Sequence, residues 1–412
     1  MLLFLKNKNN AYKKVILLYG STIIGLLFSM ICSVVNTRAL DPINYGNVRY
    51  IQNIIAFVSS LLLVGYFTSG SRLLALSRNE KESRTIRGAM CTILILTTIV
   101  LMIIMVAVGI VNFVNEEFQI ANLAFISIPF CFNVLLLNYI NTTAQGDSHI
   151  GRIAIARLFP SILYLLLAIP LFYFFNASSA LMLTLYNGSA VIVLSIIIIS
   201  TRPNFKQIKH SLKILHKENK QYGFNIYIGS IIGVSTGYIA GVMLGALGDN
   251  NANVAFYTLA LTLATPLQML PSIIGTTYFK DFATEKSINN KLIKGSILIT
   301  IISCIIFMIM IKTIVSFLYP KAYEIVANYS IFLSIGMCAH GLGDLFNRFL
   351  GAQGQGKQIR NAAIACGLTL LIGSTVGIYI YGVNAAICTR IISSIVYFTV
   401  LIIYYFKFIN KK

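Results

Sequence analysis

Residues 144–156 read AQGDSHIGRIAIA, and residues 352–365 read AQGQGKQIRNAAIA. The two stretches begin 208 positions apart in a chain of 412 residues. A recurrence at half the chain length points to a duplicated unit, and the composition says what the unit is made of. Hydrophobic residues account for 57% of the chain and charged residues for 11%, with a mean hydropathy of +0.81. Soluble domains carry about 25% charged residues, so this is the composition of an integral membrane protein. A helix needs about 20 mostly apolar residues to cross the hydrocarbon. About twelve such stretches can be drawn, at 15–36, 48–68, 86–113, 121–143, 152–175, 179–200, 223–247, 254–277, 292–318, 325–351, 358–381 and 383–406. Little chain is left between them for a soluble domain.

Both AQG stretches then close a span, the fourth and the tenth, which correspond if spans 1–6 and 7–12 are copies of one six-helix unit. Six is even, so the copies insert in the same orientation, one of the layouts used by secondary transporters. A second echo follows: DPINYGNVRYI at 41–51 and DNNANVAFYTLA at 249–260 each lead into the span after a copy's first. The predicted fold is an all-α bundle of two parallel six-helix lobes, 1–201 and 222–412, joined by a basic linker at 202–221. That linker, RPNFKQIKHSLKILHKENKQ, is either a surface-lying amphipathic helix or a solvated tether.

Lysine and arginine set the expected orientation, because short positive loops stay in the cytoplasm. With the N-terminus inside, the inside segments hold 26 of these residues and the outside segments four: Arg38, Arg49, Lys312 and Lys321. Only Arg348 and Arg390 remain within spans. Both termini are therefore expected in the cytoplasm, and the net charge of +20 faces anionic headgroups rather than nucleic acid. The N-terminal MLLFLKNKNNAYKK places apolar residues before its lysines, the reverse of a cleavable signal, so the span from Val15 is expected to be retained. Cys32, Cys91, Cys131, Cys304, Cys338, Cys366 and Cys388 stand singly, with no CxxC pair and no histidine at metal-ligand spacing. They read as inert thiols, and no metal is expected.

The segment TRALDPINYGNVRYIQ (37–52) is similar to the R-x-L-x-P-x-x-Y-G signature of polysaccharide transporters in the multidrug/oligosaccharidyl-lipid/polysaccharide (MOP) exporter superfamily. Residues 254–283, VAFYTLALTLATPLQMLPSIIGTTYFKDFA, resemble that family's G-x-Y-x-x-A span, with Ala255 in place of the glycine. LYPKAYEIVANYSIFLSIG at 318–336 resembles its later link and span, with Pro320 a departure. With twelve spans rather than the fourteen usual in lipid II flippases, the chain looks most like Wzx-type flippases. The resemblance implies transfer of undecaprenyl-diphosphate-linked oligosaccharide units from the cytoplasmic to the periplasmic leaflet of a bacterial inner membrane. It further implies O-antigen (lipopolysaccharide) or capsule synthesis, alongside a polysaccharide polymerase and a chain-length regulator. The resemblance implies no cofactor beyond a proton or sodium gradient.

Such a substrate needs cations for its diphosphate, and arginine suits phosphate through paired, charge-assisted hydrogen bonds. Charges inside spans are costly and face a bundle interior or a water-filled cavity, so the few present are the candidates. Arg390 lies about 10 Å below the outer end of the last span at 1.5 Å per residue; it either lines the cavity or is anchored on carbonyls. His340, Asp344 and Arg348 are spaced four apart on one face of span 10. Asp344 and Arg348 either neutralise one another, or Asp344 exchanges a proton or sodium ion for substrate movement. Gly336, Gly341 and Gly343 on this span would admit close helix approach. Arg38, Arg49 and Lys312 stand near outer span ends, where they either meet an anionic substrate or serve as interface residues. Asn133, Asn138, Asn141, Gln268 and Asn347 offer amides to sugar hydroxyls. The 22 tyrosines, in a chain without tryptophan, suit either sugars or an interfacial belt.

A multidrug antiporter of the same superfamily is the main alternative, but organic cations call for buried acids and the first span has none. A membrane glycan polymerase or ligase is the remaining one. No outside link exceeds about fifteen residues, and no nucleophile–base pair, phosphate-cradling loop or acid cluster is present.

Overall fold

The computed structural model describes residues 2–147, 149–248 and 250–410. Among them no strand occurs and helices dominate. In chain order they are α1 (Leu2–Ala39), α2 (Pro42–Leu62), α3 (Tyr66–Leu76), α4 (Glu80–Val114), α5 (Phe118–Ser127), α6 (Asn133–Gly146), α7 (Ile150–Phe174) and α8 (Ser179–Ser200). There follow α9 (Ile208–Glu218), α10 (Phe224–Leu247), α11 (Ala252–Thr277), α12 (Phe279–Phe282), α13 (Asn290–Leu318), α14 (Ile325–Ala352), α15 (Gly356–Ile372) and α16 (Ile378–Ile409).

Among the described residues, nine helices are long and apolar enough to cross a membrane, or ten if the bent pair α2–α3 counts as one span. One of the nine is the run 356–409, whose 54 residues would reach about 80 Å, far more than one crossing needs. Gly382 breaks it at φ 57° and ψ −137°, and α15 packs on α16, so the run contains two helices folded back on each other. The outer faces are apolar. Ile95, Ile99, Ile103 and Ile110 on α4, and Leu298, Ile302, Ile305 and Ile309 on α13, are exposed at helical spacing. Such stripes are stable only against lipid. The chain is a multi-pass membrane protein.

Side-chain caps start several helices. Asn79 accepts from the Glu82 amide at 2.9 Å to open α4, and Asn289 caps α13 through the Lys291 amide. Asp41 precedes Pro42 at the start of α2 and accepts from the amides of Ile43 (3.0 Å) and Asn44 (3.1 Å) and from the Asn44 side chain (2.6 Å). Partial burial alone would raise the Asp41 carboxyl, but these three bonds outweigh it and hold it below the usual carboxylate range.

The helices divide into two compact units, Met1–Ala39 with Ile54–Ile228, and Leu40–Asn53 with Gly229–Lys412. The first turns of α2 thus pack with the second half of the chain. There Asn47 and Asn251 share a hydrogen bond of 2.8 Å, and the Tyr323 hydroxyl donates to the Leu40 carbonyl at 2.9 Å. The segment 202–221 packs within the first unit, where α9 leans on α3 and α4 and runs through a π turn (Asn219–Gly223) into α10. Lys411 and Lys412, counted among the inward charges, lie outside the described residues.

The α2–α3 pair bends by 59°. Val64 (φ 43°) and Gly65 (φ 78°) make the bend, and a side chain at position 65 would strike the Gly223 backbone at 2.4 Å. Asn219, in the π turn, donates to the Val64 carbonyl at 3.1 Å and accepts from Ser69 at 3.2 Å. The linker therefore grips the bend.

Each AQG stretch closes a helix, α6 or α14, and holds a neighbour. After the first, Asp147 accepts from Arg87 at 2.9 Å and from Arg152 at 3.1 Å, while Arg87 also bonds Glu80 and the Thr201 carbonyl. In the second, the Gln353 amide donates to the carbonyls of Phe282 (2.6 Å) and Glu285 (2.7 Å). Asp147 thus ties the end of α6 to α4 and α7 by charge, and Gln353, two positions earlier in its copy, ties the end of α14 to the segment between α12 and α13 by its amide.

Candidate functional site

The second unit contains an unusual density of polar groups where α11, α14 and α16 meet. Small residues allow the meeting. A methyl at Gly341 would stand 2.5 Å from the Gln268 carbonyl on α11, one at Gly343 would stand 2.7 Å from the Tyr397 ring on α16, and one at Gly336 3.1 Å from the Ile391 Cα. The three glycines of span 10 thus carry the close approach read from sequence, two toward α16 and one toward α11.

Asp344 sits in this contact. Its Oδ1 accepts from the Tyr397 hydroxyl at 3.1 Å and its Oδ2 lies 3.5 Å from the Gln268 amide. Asn347 donates to the same hydroxyl at 2.6 Å. His340 stacks on the Tyr397 ring, with centroids 4.4 Å apart and planes 13° from parallel, and its buried Nδ1 has no hydrogen-bond partner. Among the described residues no ion pair joins Asp344 to Arg348 within 4.0 Å. A phenol from α16 and an amide from α11 contact the carboxylate, and Arg348 stays within its electrostatic reach beyond ion-pair distance.

Arg390 projects from α16 toward α14. One terminal nitrogen lies 4.0 Å from the Met337 sulfur, and its buried Nε has no partner. His340 and the buried Tyr257 lie within its electrostatic reach. The carbonyl anchor weighed above does not appear among its bonds. A thioether is a weak acceptor, so a guanidinium in this position keeps most of its hydrogen-bonding capacity unused.

The remaining predicted residues are spread out. Arg348 is exposed on α14 and packs along Gly275 of α11. Arg49 lies in the second unit, on α2, with Nε 2.8 Å and Nη2 2.6 Å from the Tyr45 hydroxyl and Nη1 3.0 Å from Gln52. Lys312 is exposed on α13. Arg38 belongs to the first unit, exposed in the last turn of α1. The structure therefore gathers His340, Asp344 and Arg390, with Arg348 one turn along α14; Arg49 and Lys312 stand on other helices of the second unit, and Arg38 belongs to the first.

Arg157 is absent from the expected site residues because its position near a cytoplasmic span end reads as a loop charge; α7 begins at Ile150, and Arg157 stands two turns inside, donating to Thr22 of α1 at 2.6 Å. No carboxylate pairs with it among the described ion pairs. Asn133 and Asn187 pair across α6 and α8 at 3.1 Å in the same unit, so that predicted amide serves packing.

The family described as polysaccharide biosynthesis protein matches residues 11–279. No curated protein matches the chain. Among solved structures, an inward-facing multidrug resistance MATE family transporter of the MOP superfamily is similar at a TM-score of 0.73 and 14% identity, covering 96% of this chain and 98% of that one. A lipid II flippase, MurJ, in an inward closed conformation is similar at a TM-score of 0.70 and 12% identity, over 96% and 89% of the two chains. A MOP superfamily transporter from Pyrococcus furiosus, described as having a binding pocket of reverse polarity, gives 0.55 and 16% over 97% and 99%. The expected all-helical fold, shared with these MOP superfamily structures, is thereby borne out.

Proposed function

This chain belongs to the polysaccharide biosynthesis protein family, and on that premise we propose that it flips a lipid-diphosphate-linked oligosaccharide across the cytoplasmic membrane by alternating access. The observation that carries the reading is Arg390, a half-buried guanidinium within a membrane helix whose buried Nε has no hydrogen-bond partner and whose one terminal contact is the Met337 thioether. A charge in that setting is stabilised by an anion that comes and goes, and a diphosphate matches the planar fork. Arg157 is a second cation within a helix, with no carboxylate partner among the described ion pairs and its bond going to Thr22. Substrate identity follows the family: an undecaprenyl-diphosphate repeat unit, moved from the cytoplasmic to the periplasmic leaflet for O-antigen or capsule assembly, with both termini cytoplasmic.

Asp344 is the ion-coupling residue in this proposal. Tyr397 and Gln268 solvate its carboxylate without cancelling its charge, so a proton or sodium ion can supply the missing positive charge in one half of the cycle. The same observation favours a second reading, antiport of an organic cation, because an intramembrane acid held by a phenol and an amide also recognises a cation.

A leaflet assay in a deletion strain separates the two. Without the protein, labelled undecaprenyl-diphosphate oligosaccharide should accumulate on the cytoplasmic face; wild type should restore transfer, and Arg390→Ala at matched expression should not. Losing one or two charge-assisted bonds of about 1.5–3 kcal/mol each predicts a fall of at least tenfold. Undiminished transfer in the deletion strain, with no substitute flippase present, would refute the flippase reading and leave cation antiport.

A further inference from the structure

The inner face of α9 is occupied: Leu215 is buried, Glu218 pairs with Arg72, and Ile208, Ser211 and Leu212 are half-buried. The opposite face is a row of lysines. Lys206, Lys209, Lys213, Lys217 and Lys220 follow at intervals of three or four residues, and all five are exposed. Lys209, Lys213 and Lys217 stand above one another on α9, where like charges repel, while Lys206 comes just before the helix and Lys220 just after it in the π turn. No acid relieves the row, since the one carboxylate of the segment, Glu218, is turned inward to Arg72. Two exposed apolar residues, Phe205 (49%) and Ile214 (43%), lie beside it.

Both ends of α9 are held where the chain enters the membrane. On the N-terminal side, the Asn204 amide donates to the Arg84 carbonyl at 2.8 Å, and its own carbonyl crowds Gly88, just before the lipid-facing stripe of α4 starts at Ile95. On the C-terminal side, Lys220 is followed by the exposed Phe224 and Ile226 of α10. A helix tied at both ends to that level holds its outer face in the headgroup layer, which extends only about 5–8 Å beyond the hydrocarbon on each side.

We propose that the lysine row of α9 is a docking surface for anionic phospholipid headgroups, with Phe205 and Ile214 entering the acyl boundary beside it. This chemistry is the familiar one of a polybasic helix with apolar residues at its edge. It depends on the membrane-protein fold and not on the transported substrate. Because the inner face of the same segment grips the α2–α3 bend through Asn219, the docked lipid also steadies that bend.

The chain has no tryptophan, so Ile214→Trp places a single indole at the edge of the row. The full-length variant is reconstituted in phosphatidylcholine vesicles containing phosphatidylglycerol, with brominated acyl chains on one lipid or the other at equal mole fraction. Brominated phosphatidylglycerol should quench the indole at least about twofold more strongly than brominated phosphatidylcholine, with the preference shrinking as salt is raised. Replacing all five lysines by glutamine should abolish the preference; none of the five joins an ion pair among the described residues. Equal quenching by both lipids, as a soluble acidic partner or a merely solvated row would give, overturns the proposal. So does a preference insensitive to salt, an arm that needs no lysine variant to fold.

Discussion

Removing the Asp147 carboxylate should destabilise the first unit through Arg87. The Arg87 side chain is 3% exposed and that of Asp147 5%, so their bond of 2.9 Å is a buried ion pair. Breaking such a pair from one side costs about 3–5 kcal/mol, because the remaining charge stays buried. Glu80, whose side chain is 60% exposed, and the Thr201 carbonyl still reach Arg87, which places Asp147→Ala near the lower bound, about 3 kcal/mol. Over a unit of roughly 200 residues that lowers Tm by about 6–12 °C. Cys32 and Cys131 are buried in this unit. Their thiol labelling against temperature, resolved by mass spectrometry in detergent, reads the unfolding directly. Arg84→Ala is the control: its contact with Glu80 is a longer, exposed pair at 3.4 Å, and should move Tm by no more than about 2 °C. Replacing both partners with apolar residues, Arg87→Met with Asp147→Leu, should recover most of the loss. An Asp147→Ala shift no larger than that of Arg84→Ala would refute the buried-pair argument.

Arg390→Lys should retain part of the transport that Arg390→Ala loses, since it keeps the charge and forfeits the fork; flipping assays on the two variants at equal expression give the ranking, and equality of lysine with arginine would remove the fork from the account. Tyr397→Phe deletes the hydroxyl that donates to Asp344 and should shift the pH or sodium dependence of transport while leaving the folded fraction unchanged; in Asp344→Asn that dependence should vanish, and its persistence would assign coupling elsewhere. Gly341→Ala drives a methyl into the Gln268 backbone and should cost about 1–3 kcal/mol by overpacking, read as a lower labelling midpoint for buried Cys338 and Cys366.

Much of the fold is legible in the residues because its causes are local. Apolar runs of span length, separated by lysine and arginine clusters, need no tertiary partner to be recognised, since the bilayer itself is the solvent that selects them. The duplicated AQG stretch works similarly: both copies end a helix and secure it. The glycines of span 10 announced a close approach, and Gly336, Gly341 and Gly343 each sit against a neighbouring helix. The α2–α3 bend was harder to see, because Val64 and Gly65 stand within an apolar run and the residue that grips them, Asn219, is more than 150 positions away.

The site separates along the same line. Helical spacing alone put His340, Asp344 and Arg348 on one face of α14, and cost alone marked Arg390 as exceptional. Which of them meet was beyond such reasoning, because it depends on residues brought from other helices. Asp344 takes its hydrogen bonds from α11 and α16, at Gln268 and Tyr397, while Arg348 on its own helix stays beyond ion-pair distance. Residues 40–53, written at the start of the chain, packed with its second half. Sequence determined the class of helix, the duplication and the rarity of intramembrane charge, all properties that a residue and its near neighbours carry. Only tertiary structure decided the partners, because a hydrogen bond between residues 53 or 76 positions apart exists only once the helices are set side by side.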